Sequence, residues 1–152
     1  MKRFDFRLQP LLNYRTYLEQ LARQDTAKAR MDVMDSKNRI ESLKNILAAS
    51  AGRMEELVEK GVTASFLKQF TNYMDGAAFD MENEIQNKAS LEIVLEQKVE
   101  ILKNKSIEKK SMERLREMRK QEYVQDMMKL EQKSLDEISS LKTAREISDE
   151  IE

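Results

Sequence analysis

The segment that decides the fold of this 152-residue chain is Glu59-Lys60-Gly61-Val62-Thr63-Ala64-Ser65, which predicts a turn. Gly61 can adopt the left-handed backbone conformation that ends a helix, and Ser65 is a residue type that caps the start of the next one. Gly and Pro are rare elsewhere, since the whole chain holds three Gly and one Pro. One strong turn between two long uninterrupted segments predicts a helical hairpin.

Two long helical segments are expected on either side of this turn. The first is predicted over about residues 9–60, because Pro10 is tolerated in a first helical turn, where its missing N–H would have no partner. The turn is expected over about residues 61–65. Helical structure is predicted to follow over about residues 65–147, with Gly76 as a position where the chain can bend. We therefore expect one hairpin domain over residues 1–152, with the second helix longer than the first.

Small and apolar residues in the first segment recur at alternating steps of three and four, which is typical of the a and d positions of a coiled coil. They are Ala22, Ala29, Val33, Ser36, Ile40, Leu43, Leu47, Ser50, Met54 and Leu57. The same spacing holds upstream in a register one residue different, at Leu11, Tyr14, Leu18 and Leu21. This change of register predicts a stutter near Ala22.

The spacing weakens but continues in the second segment, at Met81, Ile85, Leu91, Leu95, Val99 and Leu102. A helix with one narrow apolar stripe is stable only when that stripe is buried against a partner. The expected fold class is therefore all-α, a long two-stranded antiparallel coiled-coil hairpin.

The composition excludes the commonest catalytic and metal-binding chemistry. The chain has no Cys and no His, so it lacks thiol and imidazole nucleophiles, disulfides and the usual zinc, haem and iron–sulfur ligands. It also has no Gly-rich phosphate-binding loop. We predict a protein that is not an enzyme, with no catalytic residue, no metal and no cofactor.

No segment of the sequence predicts a cleavable signal peptide or a membrane-spanning helix. Asp5 and Arg7 interrupt the apolar stretch that a signal peptide needs, and no run approaches the roughly 18 apolar residues of a membrane span. The missing Cys residues suit a reducing compartment. We therefore expect a cytoplasmic protein.

Charge is distributed unevenly along the chain, although the 27 basic and 28 acidic residues nearly cancel. Residues 1–30 carry seven basic and three acidic residues, and residues 103–120 carry eight basic and three acidic ones, so their net charges are +4 and +5. In a hairpin centred on Val62, residue k faces about residue 124 minus k, which places the two basic stretches at the same end. This basic end is predicted to be a binding surface; a solvated helix face is the alternative.

The same register leaves the second helix without an intramolecular partner beyond about residue 115. Such an overhang is expected to be either a docking element or a dimer seam. Near the turn, Phe66, Phe70 and Tyr73 recur at helical spacing. They predict either an apolar cap that closes the hairpin or an exposed docking patch.

Three motifs, at the two ends and at the turn, match one known protein family. The run from Phe4 to Arg15, followed by Glu19, has the pattern F-x-F-x-L-x-x-L-L-x-x-R-x-x-x-E. Residues 113–117, Tyr123 and residues 131–137 form a basic stretch that ends in E-Q-K-S-L-D-E, and residues 61–73 form a turn followed by an aromatic helix. Together these motifs resemble the FliJ family of flagellar type III export proteins over nearly the whole chain.

The resemblance implies a non-enzymatic component of the flagellar protein export apparatus, similar in shape to the central stalk of rotary ATPases. Members of this family bind the hexameric export ATPase, promote its assembly and activity, contact the cytoplasmic domain of the export gate and escort export chaperones. The resemblance also implies a role in flagellum biogenesis, motility and chemotaxis. The expected location is the cytoplasmic face of the inner membrane, where the protein would be held peripherally through its partners.

The resemblance assigns two sets of partner-binding residues. The set expected at the ATPase ring is Arg7, Arg15, Arg114, Arg116, Arg119, Gln132 and Asp136. The set expected at the export gate is Phe66, Phe70 and Tyr73. The alternative function is a generic coiled-coil scaffold or homodimeric adaptor without an ATPase partner. A nucleic-acid binder is a third class, and we expect no nucleic acid because acidic residues are interspersed in the basic stretch and stacking aromatics are missing from it.

Overall fold

The computed structural model describes residues 3–149, and these residues form two α-helices and no strand. Helix α1 spans Gln9–Lys60 and has 52 residues. Helix α2 spans Ala64–Asp149, has 86 residues and continues through Gly76 without interruption. The prediction of an all-α hairpin with a longer second helix is confirmed.

Contacts between the helices show that they run antiparallel. The hydroxyl of Ser36 in α1 reaches Glu84 in α2, the hydroxyl of Thr26 reaches Lys98, and the guanidinium of Arg15 reaches Glu108. Residue numbers therefore fall along α1 as they rise along α2. The two numbers of each pair, 36 and 84, 26 and 98, and 15 and 108, sum to between 120 and 124. A short connection between two helices favours this antiparallel arrangement.

The connection ends α1 at a glycine and begins α2 at a threonine. Gly61 has φ of +78°, and its N–H donates to the carbonyl oxygen of Val58 over 3.3 Å. Glycine adopts this conformation without the steric cost that a Cβ atom would add. The Oγ1 of Thr63 accepts a hydrogen bond from the N–H of Phe66 over 3.4 Å. The prediction of Ser65 as the cap was wrong, because Thr63 immediately precedes α2 and its hydroxyl oxygen reaches the N–H of the third helical residue, whereas Ser65 lies inside the helix.

Packing divides the chain into two compact units. One unit, which we call the terminal unit, comprises Met1–Tyr17 and Ser106–Glu152. The other, which we call the middle unit, comprises Leu18–Lys105. Each unit contains part of α1 and part of α2, so each has its own packing between helices.

The terminal unit has an apolar core. Phe6, Leu12 and Met112 are buried, and Phe4 and Leu115 pack against them. The segment before α1 is tied to the helix start, because the N–H of Gln9 donates to the carbonyl oxygen of Phe6 over 2.8 Å. Residues 3–8 therefore pack on α2 although they precede the first helix.

The middle unit is packed through small and polar residues. Ala22, Ala29 and Ala77 are buried, and so are Thr26 and Ser36. The Oγ1 of Thr26 donates to the carbonyl oxygen of Ala22 in its own helix over 2.8 Å, and it lies 3.2 Å from the carbonyl oxygen of Lys98 in the other. Small side chains let two helices approach closely enough for such contacts with backbone atoms.

The stutter predicted near Ala22 is absent. Leu12 and Glu19 are only 5% and 4% exposed, whereas Tyr14 and Leu21 are 57% and 43% exposed. The buried stripe of α1 thus continues from Ala22 back to Leu12 in one register. Its charged member, Glu19, can be buried because its carboxylate pairs with Arg23 over 2.5 Å.

Two apolar positions predicted for the stripe of α2 are also outside it. Ile85 is 41% exposed and Val99 is 40% exposed. The half-buried positions beside them are Glu84 and Lys98, which contact α1 through hydrogen bonds and ion pairs. Polar residues with partners on α1 therefore occupy the half-buried positions of α2, and the adjacent apolar residues that the pattern predicted there are exposed.

The overhang of α2 begins later than predicted. Tyr123 still packs on Phe4, with ring centroids 5.7 Å apart, and Met127 is half-buried. Every described side chain from Met128 to Ile147 is exposed. The expected start near residue 115 was wrong because residues 3–8 extend the contact beyond the start of α1.

Candidate functional site

The terminal unit contains a cleft of about 890 Å³, formed by residues 3–8 and one face of α2. Its charged lining residues are Arg3, Arg7, Arg119 and Asp5. Its remaining lining residues are apolar or aromatic: Phe4, Phe6, Leu8, Leu115 and Tyr123. The cleft therefore combines three guanidinium groups and one carboxylate with an apolar surface.

Helix periodicity explains why α2 contributes three side chains to this cleft. Leu115, Arg119 and Tyr123 are spaced at four residues, which places them on one face of the helix. Leu115 packs on the apolar core, and the ring of Tyr123 lies against Phe4 at an interplanar angle of 51°. Arg119 lies between these two positions and is exposed. Apolar packing on either side thus fixes the stretch of helix that presents Arg119.

The arginines of the cleft have few partners in the chain. Arg3 and Arg7 are exposed and make no hydrogen bond or ion pair with the described residues. Arg119 pairs with Glu122 over 3.0 Å, but both side chains are more than half exposed, so this contact is weak. The guanidinium groups can therefore bind an anionic partner at little cost.

The structure does not bring all five predicted arginines together. Arg7 and Arg119 line the cleft, whereas Arg15 donates from Nη1 to the backbone oxygen of Glu108 over 3.2 Å. Arg114 and Arg116 are exposed and lie outside the cleft lining. Residues two apart on a helix differ by about 200° around its axis, so these two side chains leave α2 on different sides.

Gln132 and Asp136 lie in the exposed part of α2, residues 128–147, which we call the exposed helix end. They are four residues apart and share one face of the helix. Large apolar residues are also exposed there, by 58% to 65%, at Met128, Leu130, Leu135, Ile138 and Leu141. The exposed helix end therefore carries apolar side chains that nothing in the described part of the chain covers.

Phe66, Phe70 and Tyr73 form a row of rings along α2 in the middle unit. The ring centroids of Phe66 and Phe70 are 6.5 Å apart, and those of Phe70 and Tyr73 are 6.3 Å apart. Phe66 and Tyr73 are 46% and 56% exposed, and Phe70 is half-buried. The row therefore presents aromatic surface to solvent.

Arg3 and Tyr123 line the cleft but were not predicted as partner-binding residues. The hairpin register contained a signal for them, because residue 3 is expected opposite about residue 121. The missing information was that residues 3–8 pack on α2 without being part of α1.

A second polar cluster lies in the middle unit around Glu84. Its Oε1 accepts hydrogen bonds from Ser36 Oγ over 2.5 Å and Asn87 Nδ2 over 3.1 Å, and it pairs with Arg39 Nη2 over 3.0 Å. The hydroxyl of Ser36, followed by Asn87 and Arg39, lowers the pKa of the Glu84 carboxyl to about 2. An ionised carboxylate with three donors joins the two helices and is not available as a proton donor near neutral pH.

Neither a metal centre nor a membrane span is present in the described residues 3–149. They contain no group of three or more acidic side chains placed to hold a metal ion. Neither helix has, within the part described, a stretch that is long and apolar enough to cross a membrane.

Comparison with known proteins gives one family and one fold relative. Residues 4–148 match the family model described as Flagellar FliJ protein. Among solved structures, the chain is similar to a YscO homolog, CT670, from Chlamydia trachomatis, with 16% identity and a TM-score of 0.57 over 91% of this chain and 94% of that one. At this identity the similarity shows a shared fold. No curated protein matches the chain.

Proposed function

We propose a function from one premise: the chain belongs to the flagellar FliJ protein family, whose model matches residues 4–148. The resemblance predicted from the sequence motifs is thereby confirmed. Membership makes the protein a component of a flagellar or type III export apparatus. Within that apparatus, the proposed role is that of a stalk that binds the hexameric export ATPase and promotes its assembly and activity.

The observation that carries this proposal is the combination of surfaces in the terminal unit. A cleft with three arginines and the exposed helix end belong to the same unit. Arginine is suited to pairing with carboxylates, and apolar side chains on a lone helix gain stability when a partner covers them. Both features favour a protein partner with acidic groups around an apolar opening. The ATPase-binding residues proposed here are therefore Arg7 and Arg119 together with Gln132 and Asp136, while Arg15, Arg114 and Arg116 lie outside the cleft.

The proposed action of the protein on the ATPase is non-catalytic. The FliJ family is a non-catalytic export component. The chain offers no His, no Cys and no Gly-rich phosphate-binding loop that could take part in ATP hydrolysis. A stalk can change the rate of the ATPase by binding one arrangement of the ATPase subunits more tightly than another. The difference between the two binding free energies sets how far the equilibrium between the arrangements shifts.

The row of Phe66, Phe70 and Tyr73 is the surface proposed for the export gate. Exposed aromatic side chains are enriched at protein interfaces, and these three lie in the middle unit, away in sequence from the proposed ATPase-binding residues. Escort of export chaperones, a role in motility and chemotaxis, and peripheral placement at the inner membrane through partners complete the proposal.

The experiment that tests the proposal is co-purification of the export ATPase with the full chain and with a chain that ends at Met127. Removing the exposed helix end takes away side chains that are exposed wherever the structure describes them, and the ion pair it breaks, between Lys129 and Asp126, is exposed and weak, so we expect the rest of the fold to be retained. We expect recovery of the ATPase to fall at least about tenfold, because the loss of a few buried apolar contacts amounts to more than about 1.4 kcal/mol. Full recovery with the shortened chain contradicts the proposed role of the exposed helix end.

The alternative function, a homodimeric adaptor, is supported by the same exposed apolar side chains. In that case two copies of the exposed helix end would cover each other, and the protein would form a dimer. Sedimentation velocity separates the two functions. The stalk function predicts a monomer over the accessible concentration range, whereas a stable dimer that is lost on truncation at Met127 favours the adaptor.

A further inference from the structure

We infer that the cleft of the terminal unit is a binding site for an acidic peptide segment with an apolar anchor side chain. This inference rests on the proposed function and deepens it, because the segment is expected to belong to the export ATPase. The site is built from residues 3–8 and from the face of α2 that contains Leu115, Arg119 and Tyr123.

The first argument is the charge of the cleft. Arg3, Arg7 and Arg119 oppose one carboxylate, that of Asp5. Neither Arg3 nor Arg7 has an ion-pair or hydrogen-bonding partner among the described residues. Guanidinium groups bind carboxylates through paired hydrogen bonds that are stronger than neutral ones. A ligand with two or more carboxylates therefore fits the cleft better than a neutral one.

The second argument is the apolar surface between the arginines. Leu8 is 42% exposed although it lines a concave site, and Phe4, Leu115 and Tyr123 line the same cleft. A volume of about 890 Å³ has room for several side chains of a bound segment. Covering Leu8 removes apolar area from water, so an apolar side chain of the ligand adds affinity that carboxylates alone do not provide.

The third argument is that the cleft is held in one shape before a ligand binds. The N–H of Gln9 donates to the carbonyl oxygen of Phe6 over 2.8 Å, and the N–H of Leu12 donates to the carbonyl oxygen of Leu8 over 3.0 Å. The side chain of Phe6 is buried in the core. Arg7 lies between two residues with fixed backbones, so the backbone of this segment loses less conformational entropy when a ligand binds.

These features favour a peptide over a nucleic acid. Single-stranded nucleic acids bind through open aromatic faces on which bases stack. In this cleft the ring of Phe4 lies against that of Tyr123, with centroids 5.7 Å apart, so these rings pack on each other instead of standing open to bases. A peptide can place its apolar side chain over Leu8 and its carboxylates beside the arginines.

The test uses the full chain with the photo-crosslinking residue p-benzoylphenylalanine in place of Leu8, expressed in cells that contain the export apparatus. A second chain carries the same residue in place of Met31, which is 66% exposed and lies in the middle unit. Crosslinked peptides are identified by mass spectrometry. We expect the peptide captured at position 8 to contain at least two acidic residues next to an apolar one, and position 31 not to capture it.

A pair of matched double variants tests whether the arginines cause the binding. Arg3→Glu with Arg7→Glu reverses two charges in the cleft, whereas Arg114→Glu with Arg116→Glu reverses two charges on exposed faces of α2 outside it. We expect the first pair to lower the crosslink yield at least about tenfold and the second pair to change it less than about twofold. Thermal unfolding monitored by circular dichroism checks that both double variants remain folded.

The outcomes separate this inference from the proposed function. A captured segment without acidic residues, a captured nucleic acid, a yield that is insensitive to the Arg3 and Arg7 reversals, or no crosslink at position 8 would overturn the inference. An acidic segment that depends on these arginines but comes from a protein other than the export ATPase supports the cleft as a peptide site and contradicts the proposed function. Capture of an ATPase segment without acidic residues contradicts the inference about the cleft and supports the proposed function.

Discussion

The terminal unit and the middle unit bury different kinds of side chain against α2. The terminal unit buries Phe6, Leu12 and Met112. The middle unit buries alanines together with the polar side chains of Thr26 and Ser36. Burial of a large apolar side chain contributes roughly 1.5–3 kcal/mol, whereas a satisfied hydrogen bond contributes about 1 kcal/mol. The terminal unit is therefore expected to gain more stability from each buried residue.

Apolar and polar packing fix the position of one helix against the other in different ways. The hydrophobic effect has no preferred direction, but a buried hydroxyl needs its partner at a defined distance and angle. Ser36 is 0% exposed and donates to Glu84, so a shift of α1 along α2 would leave this hydroxyl without its acceptor. We therefore expect the polar contacts of the middle unit to define the register of the helices, and the apolar core of the terminal unit to contribute more of the stability.

Phe6→Ala is the change expected to have the largest effect on this comparison. It removes the aromatic side chain from the core of the terminal unit, and substitutions of this kind cost about 3–5 kcal/mol in unfolding free energy. Urea unfolding measures the loss. Phe79→Ala is the matched control, because Phe79 is 67% exposed and its truncation should change stability by less than about 0.5 kcal/mol. Equal effects of the two variants would mean that the terminal unit has no effective core.

Ser36→Ala is expected to have an intermediate effect. It deletes the hydroxyl that donates to Glu84 over 2.5 Å, and the loss of one such hydrogen bond costs about 1 kcal/mol. Ser90→Ala is the control, since Ser90 is exposed and its hydroxyl contacts only the carbonyl oxygen of Gln86 in its own helix. Urea unfolding of both variants gives the comparison. If Ser36→Ala were as stable as the wild type, the polar packing of the middle unit would not contribute to stability.

The smallest expected effect is the pH dependence that Glu84 adds to the middle unit. Hydrogen bonds from Ser36, Asn87 and Arg39 lower its pKa from 4.5 to about 2 in the folded chain. Its contribution to stability is therefore present above pH 4.5 and is lost as the pH falls toward 2. Thermal unfolding across this range should show a shallower decline for Glu84→Gln than for the wild type.

Glu82→Gln serves as the control for this titration, because Glu82 is an exposed carboxylate on the same helix. Its stability curve should follow the wild-type decline between pH 4.5 and 2. Identical curves for Glu84→Gln and the wild type would contradict the assignment of this pH dependence to Glu84.

The fold class followed from the sequence because the scarcity of Gly and Pro left one turn, and Gly61 marked it. The details that differ are those that depend on the opposite helix. Glu84 of α2 occupies a half-buried position because Ser36 and Arg39 of α1 provide partners, and the spacing of apolar residues contains no information about such pairs. Polar members of a buried stripe become visible only when both helices are considered together.

The candidate site was predictable where it depends on the helices and not where it depends on the segment before them. Arg119 follows from helix periodicity and from the hairpin register. Arg3 and Tyr123 depend on how residues 3–8 pack on α2, and no periodic pattern describes that segment. The core contact of Phe6 is the structural reason why these residues reach the cleft.

The rate of ATP hydrolysis by the purified export ATPase, measured with and without this protein, tests the claim that the terminal unit binds and activates the ATPase through its cleft and the exposed helix end. The wild type and the Arg114→Glu, Arg116→Glu control should stimulate hydrolysis equally. At a subsaturating concentration of the added protein, the Arg7→Glu, Arg119→Glu variant should stimulate hydrolysis at least about tenfold less than the wild type. Full stimulation by the Arg7→Glu, Arg119→Glu variant, or no stimulation by the wild type, would contradict the claim.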